Sequence, residues 1–213
     1  LEQDELFDVG GYERTLAAGL ARMRENALDW AHLPHLHSSS FSTISLVDES
    51  DAGWRATATA PGSDAAFEVA LALAGEVAAG AIRWTTETRA GGQLFSRIVT
   101  DAFAEGPRAC RIAVRFFSRQ PGTGEFFRAL YARLYDEDEV MMIARQNAID
   151  APDSGFRNVC GYRIPRACPH LGLPLDAEPD TDGIITCPWH GYRFDAATGR
   201  CISGQDCRWQ MRT

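Results

Sequence analysis

The chain has no apolar run approaching the ~20 residues of a membrane-spanning helix, and no cluster of basic residues. Its formal net charge is −8, from 29 acidic and 21 basic side chains. That balance disfavours nucleic acid and acidic membrane surfaces as partners. A signal-peptide pattern is also lacking, in a chain that begins at Leu1 rather than Met. Cysteine is sparse, six residues with no spacing that reads as a disulfide framework, which predicts a cytoplasmic location. Histidine is sparser still. All five lie in two short stretches, His32, His35 and His37 in one and His170 and His190 in the other. Histidines placed for packing would scatter, so each stretch calls for a chemical account. The 213 residues, 45% of them hydrophobic, suffice for the core of one large domain or two small ones.

The second stretch reads Cys168-Pro169-His170-Leu171-Gly172, then Cys187-Pro188-Trp189-His190-Gly191. Each part offers one thiolate and one imidazole. Glycine after each pair allows a tight turn that brings backbone N–H groups close to a bound group, and the prolines stiffen both loops. Zinc or cysteines placed only for packing are the alternatives. Zinc sites favour Cys-x2–4-Cys pairs with their histidines elsewhere, and mixed Cys/His pairs at these spacings do not fit that. In a Rieske centre, two Cys hold one iron of a 2Fe–2S cluster and two His hold the other. The stretch resembles the Rieske domains of bacterial oxygenases and their ferredoxins, down to the run from Cys187 to Cys201. The resemblance implies Cys168 and Cys187 on one iron and His170 and His190 on the other. Respiratory Rieske proteins carry an extra disulfide-forming Cys in each loop, where this chain has Leu173 and Trp189. Cys110, Cys160, Cys201 and Cys207 then read as buried or free thiols.

The first histidine stretch follows a segment, Tyr12 to Trp30, whose apolar residues Leu16, Leu20, Met23, Ala27 and Trp30 predict a helix. Asp29 and His32 are three apart, on one face. Pro34 is expected to end or kink the helix near Leu33, and the bend would let His32 and His37 converge on one ion. The pattern Glu25-Asn26-x-x-Asp29-x-x-His32-x-Pro34-x-x-His37 resembles the catalytic domain of Rieske non-heme iron oxygenases, nearest to the branch of vanillate O-demethylase-like monooxygenases. The resemblance implies that His32 and His37 bind a mononuclear Fe(II) and that Asp29 bridges to a cluster histidine. It leaves His35 as a neighbour or substrate-pocket residue.

Two histidines need a carboxylate to complete a facial triad. Between Ser40 and Phe117, six alternating or β-branched segments punctuated by Gly and Pro predict an antiparallel sheet of successive hairpins: Ser42–Val47, Trp54–Ala58, Phe67–Leu73, Ala81–Arg89, Gln93–Phe103 and Arg108–Phe117. A long helix is predicted from Glu125 to about Ala148, with an apolar stripe of Phe127, Leu130, Tyr131, Leu134, Met141 and Met142. Asp138 falls on that stripe, and a carboxylate on a buried face is unusual unless paired or metal-bound. Asp136, Glu137 and Glu139 read as solvated. The oxygenase resemblance selects Asp138 as well.

The fold class is thus expected to be α+β. Residues 1–150 form a helix-grip (START/Bet v1-like) sheet with a long C-terminal helix and a mononuclear iron site. A polar stretch, Asp150 to Gly155, leads into a small all-β Rieske cluster-binding domain at 151–213. That order reverses the family's usual one. The resemblance implies an oxygenase acting with O2 on an aromatic or other hydrophobic small molecule by hydroxylation or oxidative demethylation. It also implies an NAD(P)H-dependent reductase or ferredoxin as electron donor, and a homotrimer. The alternative is an electron-transfer or hydrophobic-ligand-binding protein with the cluster and no active mononuclear iron.

Overall fold

In the computed structural model, residues 5–153, 155–203 and 208–209 are described. Ser154 and Cys207 lie outside the described residues. The chain divides into two compact units, Leu1–Met142 and Ile143–Thr213.

The first unit is built on one seven-stranded antiparallel sheet. Its strands are β1 (Phe7–Leu16), β2 (Thr43–Ser50), β3 (Gly53–Thr59), β4 (Ala66–Glu76), β5 (Ala81–Ala90), β6 (Gln93–Gly106) and β7 (Ala109–Ser118), in the order β1-β7-β6-β5-β4-β3-β2. Strands β2 to β7 form a meander at the places predicted, because each tight turn has the Gly or Pro that reverses the chain. Ile112, Val114 and Phe116 of β7 are buried, while Arg115 is exposed. This is the alternation of a half-buried strand.

The helix predicted from Tyr12 is corrected at its first half. Residues up to Leu16 form β1, paired with β7 through a register shift between Asp8 and Gly10, and only Leu20–Leu28 form a helix, α1. The reason is tertiary. Edge pairing with β7 satisfies the backbone of Phe7–Leu16 and buries Leu16 completely. The helical spacing in the sequence belongs to residues after Gly19.

The break before the histidines is corrected too. Helix α1 ends at Asp29, with φ −87° and ψ 81°. A 3-10 turn, Trp30–His32, leads into a single helical turn, α2 (Leu33–Leu36). Pro34 sits in the first turn of α2, where its missing N–H costs nothing. Pro34 therefore starts a helix instead of ending one.

The long helix α3 spans Gly124–Asp150. Phe127, Tyr135, Met141 and Met142 are buried along it. Phe116 of β7 packs against the rings of Phe127 and Tyr131, with centroids 5.6 and 5.2 Å apart. The core of the first unit lies between the sheet and this helix, the helix-grip arrangement expected.

The second unit holds two small antiparallel pairs, β8 (Phe156–Val159) with β9 (Tyr162–Pro165), and β10 (Ile184–Thr186) with β11 (Arg193–Asp195). Ile164, Leu175, Ile185, Phe194 and Trp209 form its small core together with Cys168 and Cys187. The fold as a whole is α+β, a START/Bet v1-like sheet with a long helix joined to a small domain of short strands. No helix among the described residues is long and apolar enough to cross a membrane.

Candidate metal centres

In the second unit the two Cys/His loops share one backbone design. Cys168 N donates to Leu173 O at 2.7 Å and Gly172 N to Cys168 O at 2.8 Å; Cys187 N donates to Tyr192 O at 2.8 Å and Gly191 N to Cys187 O at 2.9 Å. Gly172 and Gly191 close these turns at φ +72° and +63°, conformations in which a side chain would be strained. The identical turns present both Cys/His pairs in the same way. Their imidazoles meet edge to face, His170 and His190 centroids lying 4.7 Å apart, with the Tyr192 ring beside both. Cys168, Cys187 and His190 are buried. The Cys187 thiol is held well below its ordinary range, by Cys168 first and then His190 and backbone N–H groups, against the effect of burial. A thiol so placed is ready to act as a thiolate ligand. The loops are joined by a hydrogen bond from Trp189 Nε1 to Pro174 O at 2.9 Å. Among the described residues, Cys110, Cys160, Cys168, Cys187 and Cys201 are in no disulfide.

In the first unit His32, His37 and Asp138 come together, their ligand atoms all within 4.8 Å of one another. Asp138 Oδ1 is 3.0 Å from His37 Nε2 and 3.4 Å from His32 Nε2. Both histidines are buried, yet Asp138 Oδ1 forms a well-directed hydrogen bond with no partner. Three donor atoms that crowd together without bonding one another are aimed at a common point. This is what a ligand set for one cation looks like, and the donors suit a 2-His-1-carboxylate site.

The opposite nitrogens face carboxylates as well. His37 Nδ1 is 2.6 Å from Glu137 Oε2, and His32 Nδ1 is 3.6 Å from Asp29 Oδ2. Glu137 and Glu139 were expected to be solvated, and the structure corrects both: their side chains are part-buried and bonded. Asp136 is exposed, as expected, with its carboxylate beside Arg14. Arg14 and the Ala17 N–H of the unforeseen strand β1 and its exit hold α3 here: Arg14 pairs with Asp136 and Glu139 at 2.5 Å each, and Ala17 N donates to Glu139. Helical periodicity places Glu137 off the buried stripe. Nothing in the sequence shows that it reaches a histidine 100 positions away. His35 is exposed and lines none of the cavities described below.

These carboxylates make the site cation-seeking. Burial alone would lower the His32 pKa, but Asp138 and then Asp29 outweigh it and raise it to about 10. Burial also opposes ionised Asp138, but His32 and His37 hold its carboxyl well below the usual range. A group whose folded pKa exceeds its unfolded value stabilises fully below the unfolded value, and that contribution is lost as pH rises through the folded one. Protein stripped of metal is therefore expected to lose stability between pH 6.5 and about 10. With a metal on Nε2 the imidazole is already neutral, so Fe(II)-loaded protein should show a flatter profile. Melting temperature against pH, with and without chelator, checks this, and identical profiles would contradict it.

Glu137 orients His37 by accepting its Nδ1–H, which leaves Nε2 free to ligate. Changing such a partner typically weakens metal binding by about 10–100-fold. Glu137→Ala is expected to do so, with Glu137→Gln recovering part of the loss through its carbonyl. Titration with Co(II), followed by its d–d bands, measures both.

A cavity of about 130 Å³ adjoins the three residues, lined also by Asp29, Trp54, Trp84, Tyr131 and Tyr135. Trp54 is fixed by a hydrogen bond from Nε1 to Ala27 O at 3.0 Å.

Comparison with known proteins identifies the class of the second unit. Residues 161–209 match the Rieske [2Fe-2S] domain, so this part of the chain carries a 2Fe–2S electron-transfer centre. No curated protein matches the chain. Among solved structures, the chain is similar to norcoclaurine synthase from Thalictrum flavum at 13% identity and a TM-score of 0.46, covering 67% of this chain and 96% of that one. It is similar to Zhui aromatase/cyclase from Streptomyces sp. R1128 at 12% identity and a TM-score of 0.44, covering 69% and 98%. Ara h 8.0201 is similar at 14% identity and a TM-score of 0.46, covering 65% and 97%.

Proposed function

We propose that the chain is a two-centre oxygenase. Cys168 and Cys187 hold one iron of the 2Fe–2S cluster, His170 and His190 hold the other, and His32, His37 and Asp138 hold a mononuclear Fe(II). The observation that carries this reading is the convergence of His32 Nε2, His37 Nε2 and buried Asp138 Oδ1 beside a cavity, in a chain that also carries a Rieske domain. A ferrous ion held by three protein donors supplies open positions for O2 chemistry, fed with electrons from the cluster.

The remaining work belongs to the chain's own side chains. Asp138 and the two imidazoles would hold the ion. Glu137 holds His37 in the tautomer that offers Nε2, and the Asp29 carboxylate, 3.6 Å from His32 Nδ1, faces the second imidazole without a hydrogen bond to it. Trp54, Trp84 and Tyr131 line an apolar chamber that excludes water from the reacting centre. The substrate is an aromatic or other hydrophobic small molecule, hydroxylated or oxidatively demethylated next to the ion. A reductase or ferredoxin supplies electrons, and the active form is a homotrimer. Asp29 carries the electronic coupling between the centres, as the resemblance of its motif implies.

Substrate-dependent O2 consumption with a generic reductase tests the activity. Asp29→Asn is expected to retain both metals and slow single-turnover oxygenation by at least about tenfold, or ~1.4 kcal/mol of barrier. An unchanged single-turnover rate in that variant removes Asp29 from the electron path. Cluster reduction without O2 consumption for any hydrophobic compound would leave an electron carrier or ligand-binding protein.

A further inference from the structure

The chamber beside His32, His37 and Asp138 is small, about 130 Å³. A second cavity in the first unit is about 440 Å³, within the range of about 300–1,000 Å³ usual for small-molecule sites. The two share five lining residues: Phe41, Val69, Thr86, Tyr131 and Leu134. These five stand between the chamber at the ligand cluster and the larger one, in the position of a neck. Beyond the neck the walls are aromatic and aliphatic, with the hydroxyls of Ser40, Thr88 and Ser96 as the only polar side chains apart from those of the neck. No charged side chain is among the lining residues of the larger cavity. Arg133 donates to Ser40 Oγ at 3.0 Å but is exposed and does not line it. Phe126 and Phe95, which do line it, are 62% and 36% exposed. An aromatic pair open to solvent marks a mouth through which an apolar molecule enters.

From these features we infer that the substrate is an elongated, uncharged molecule. Its apolar body fills the larger cavity, and only its reacting end passes Thr86 and Tyr131 into the chamber at His32, His37 and Asp138. An anionic body is excluded, because a carboxylate in these walls would be buried with no cation to meet it, and an unpaired buried charge is costly. The polar groups of the neck are neutral as well. Burial raises the Tyr131 pKa far above its ordinary range, so its phenol stays protonated. Thr86 and Tyr131 can donate to a carbonyl or ether oxygen near the reacting end but carry no positive charge to offset that of an anion.

The inference rests on the oxygenase reading only for the word substrate, and binding tests it without turnover. Purified protein with its cluster intact and mononuclear Fe(II) removed is titrated with pyrene, pyrene-1-carboxylate and 1-hexylpyrene, followed by pyrene fluorescence. Pyrene should bind at least roughly tenfold tighter than its carboxylate. The hexyl chain should add affinity by passing the neck. Thr88→Trp fills the larger cavity and should weaken all three probes. Thr86→Trp closes the neck and should abolish only the hexyl advantage. Melting curves establish that each variant folds, and the comparison among probes in the unaltered protein stands if one does not. Equal affinity for pyrene and its carboxylate overturns the charge rule, and no gain from the hexyl chain overturns the neck. Selective pyrene binding without O2 consumption for any neutral compound would keep this inference and sink the oxygenase. Oxygenation of small carboxylates without pyrene binding would do the reverse.

Discussion

Replacing Asp138 with alanine is expected to empty the mononuclear site and abolish oxygenation while leaving the visible spectrum of the 2Fe–2S cluster unchanged. Among the described residues, Asp138 is the one group whose oxygen approaches both imidazole Nε2 atoms, at 3.0 and 3.4 Å. Without it, two neutral imidazoles remain, and the nearby carboxylates of Glu137 and Asp29 face their far nitrogens. Loss of an outer partner such as Glu137 costs about 10–100-fold in affinity, so loss of a ligand is expected to cost at least about 100-fold. Iron content measured beside the cluster absorbance reads the result. A variant that keeps its full iron complement would show that the site is an ion-pair cluster of histidines and carboxylates and not a metal site.

The second large effect is expected in the other unit. Cys187→Ser should remove the cluster and with it the order of the cluster loops and of β8 to β11, while the sheet of the first unit stays folded. Two-stranded sheets are marginal by themselves, and β8–β9 and β10–β11 are only three or four residues long. Their core is small and includes Cys168 and Cys187 themselves. A unit built this way draws its folding free energy from the bound group. Hydrogen exchange should show protection lost in the cluster loops and β8 to β11 but retained in β3 to β7. Retained protection of Ile185 and Phe194 without a cluster would show that the apolar core suffices.

Much of the site was legible in the sequence, and particular residues show why the rest was not. The two Cys/His pairs are local, because each loop of five residues carries both its ligands and the glycine that closes its turn. Strands β2 to β7 were legible because each is bounded by its own turn residues. Asp138 could be singled out because a carboxylate on an apolar helical stripe violates the period around it. Strand β1 was not legible. Its glycines and mixed polarity give no clean alternation, and its strand state comes from pairing with β7 across most of the unit. Glu137 was missed for the same reason, since its partner His37 is distant in sequence and its own position looks solvent-facing. Pro34 was read as a helix stop, and the chain uses it as a helix start. Both are compatible with proline, and only the backbone break at Asp29 decides between them.

The most direct test is the ratio of iron to acid-labile sulfide in protein purified without oxygen. With both centres filled, the account predicts about three iron atoms per two sulfides, falling to about two in Asp138→Ala. A ratio of about two in the unaltered protein, not rising when Fe(II) is added, would contradict it and leave a Rieske protein whose helix-grip unit holds no iron.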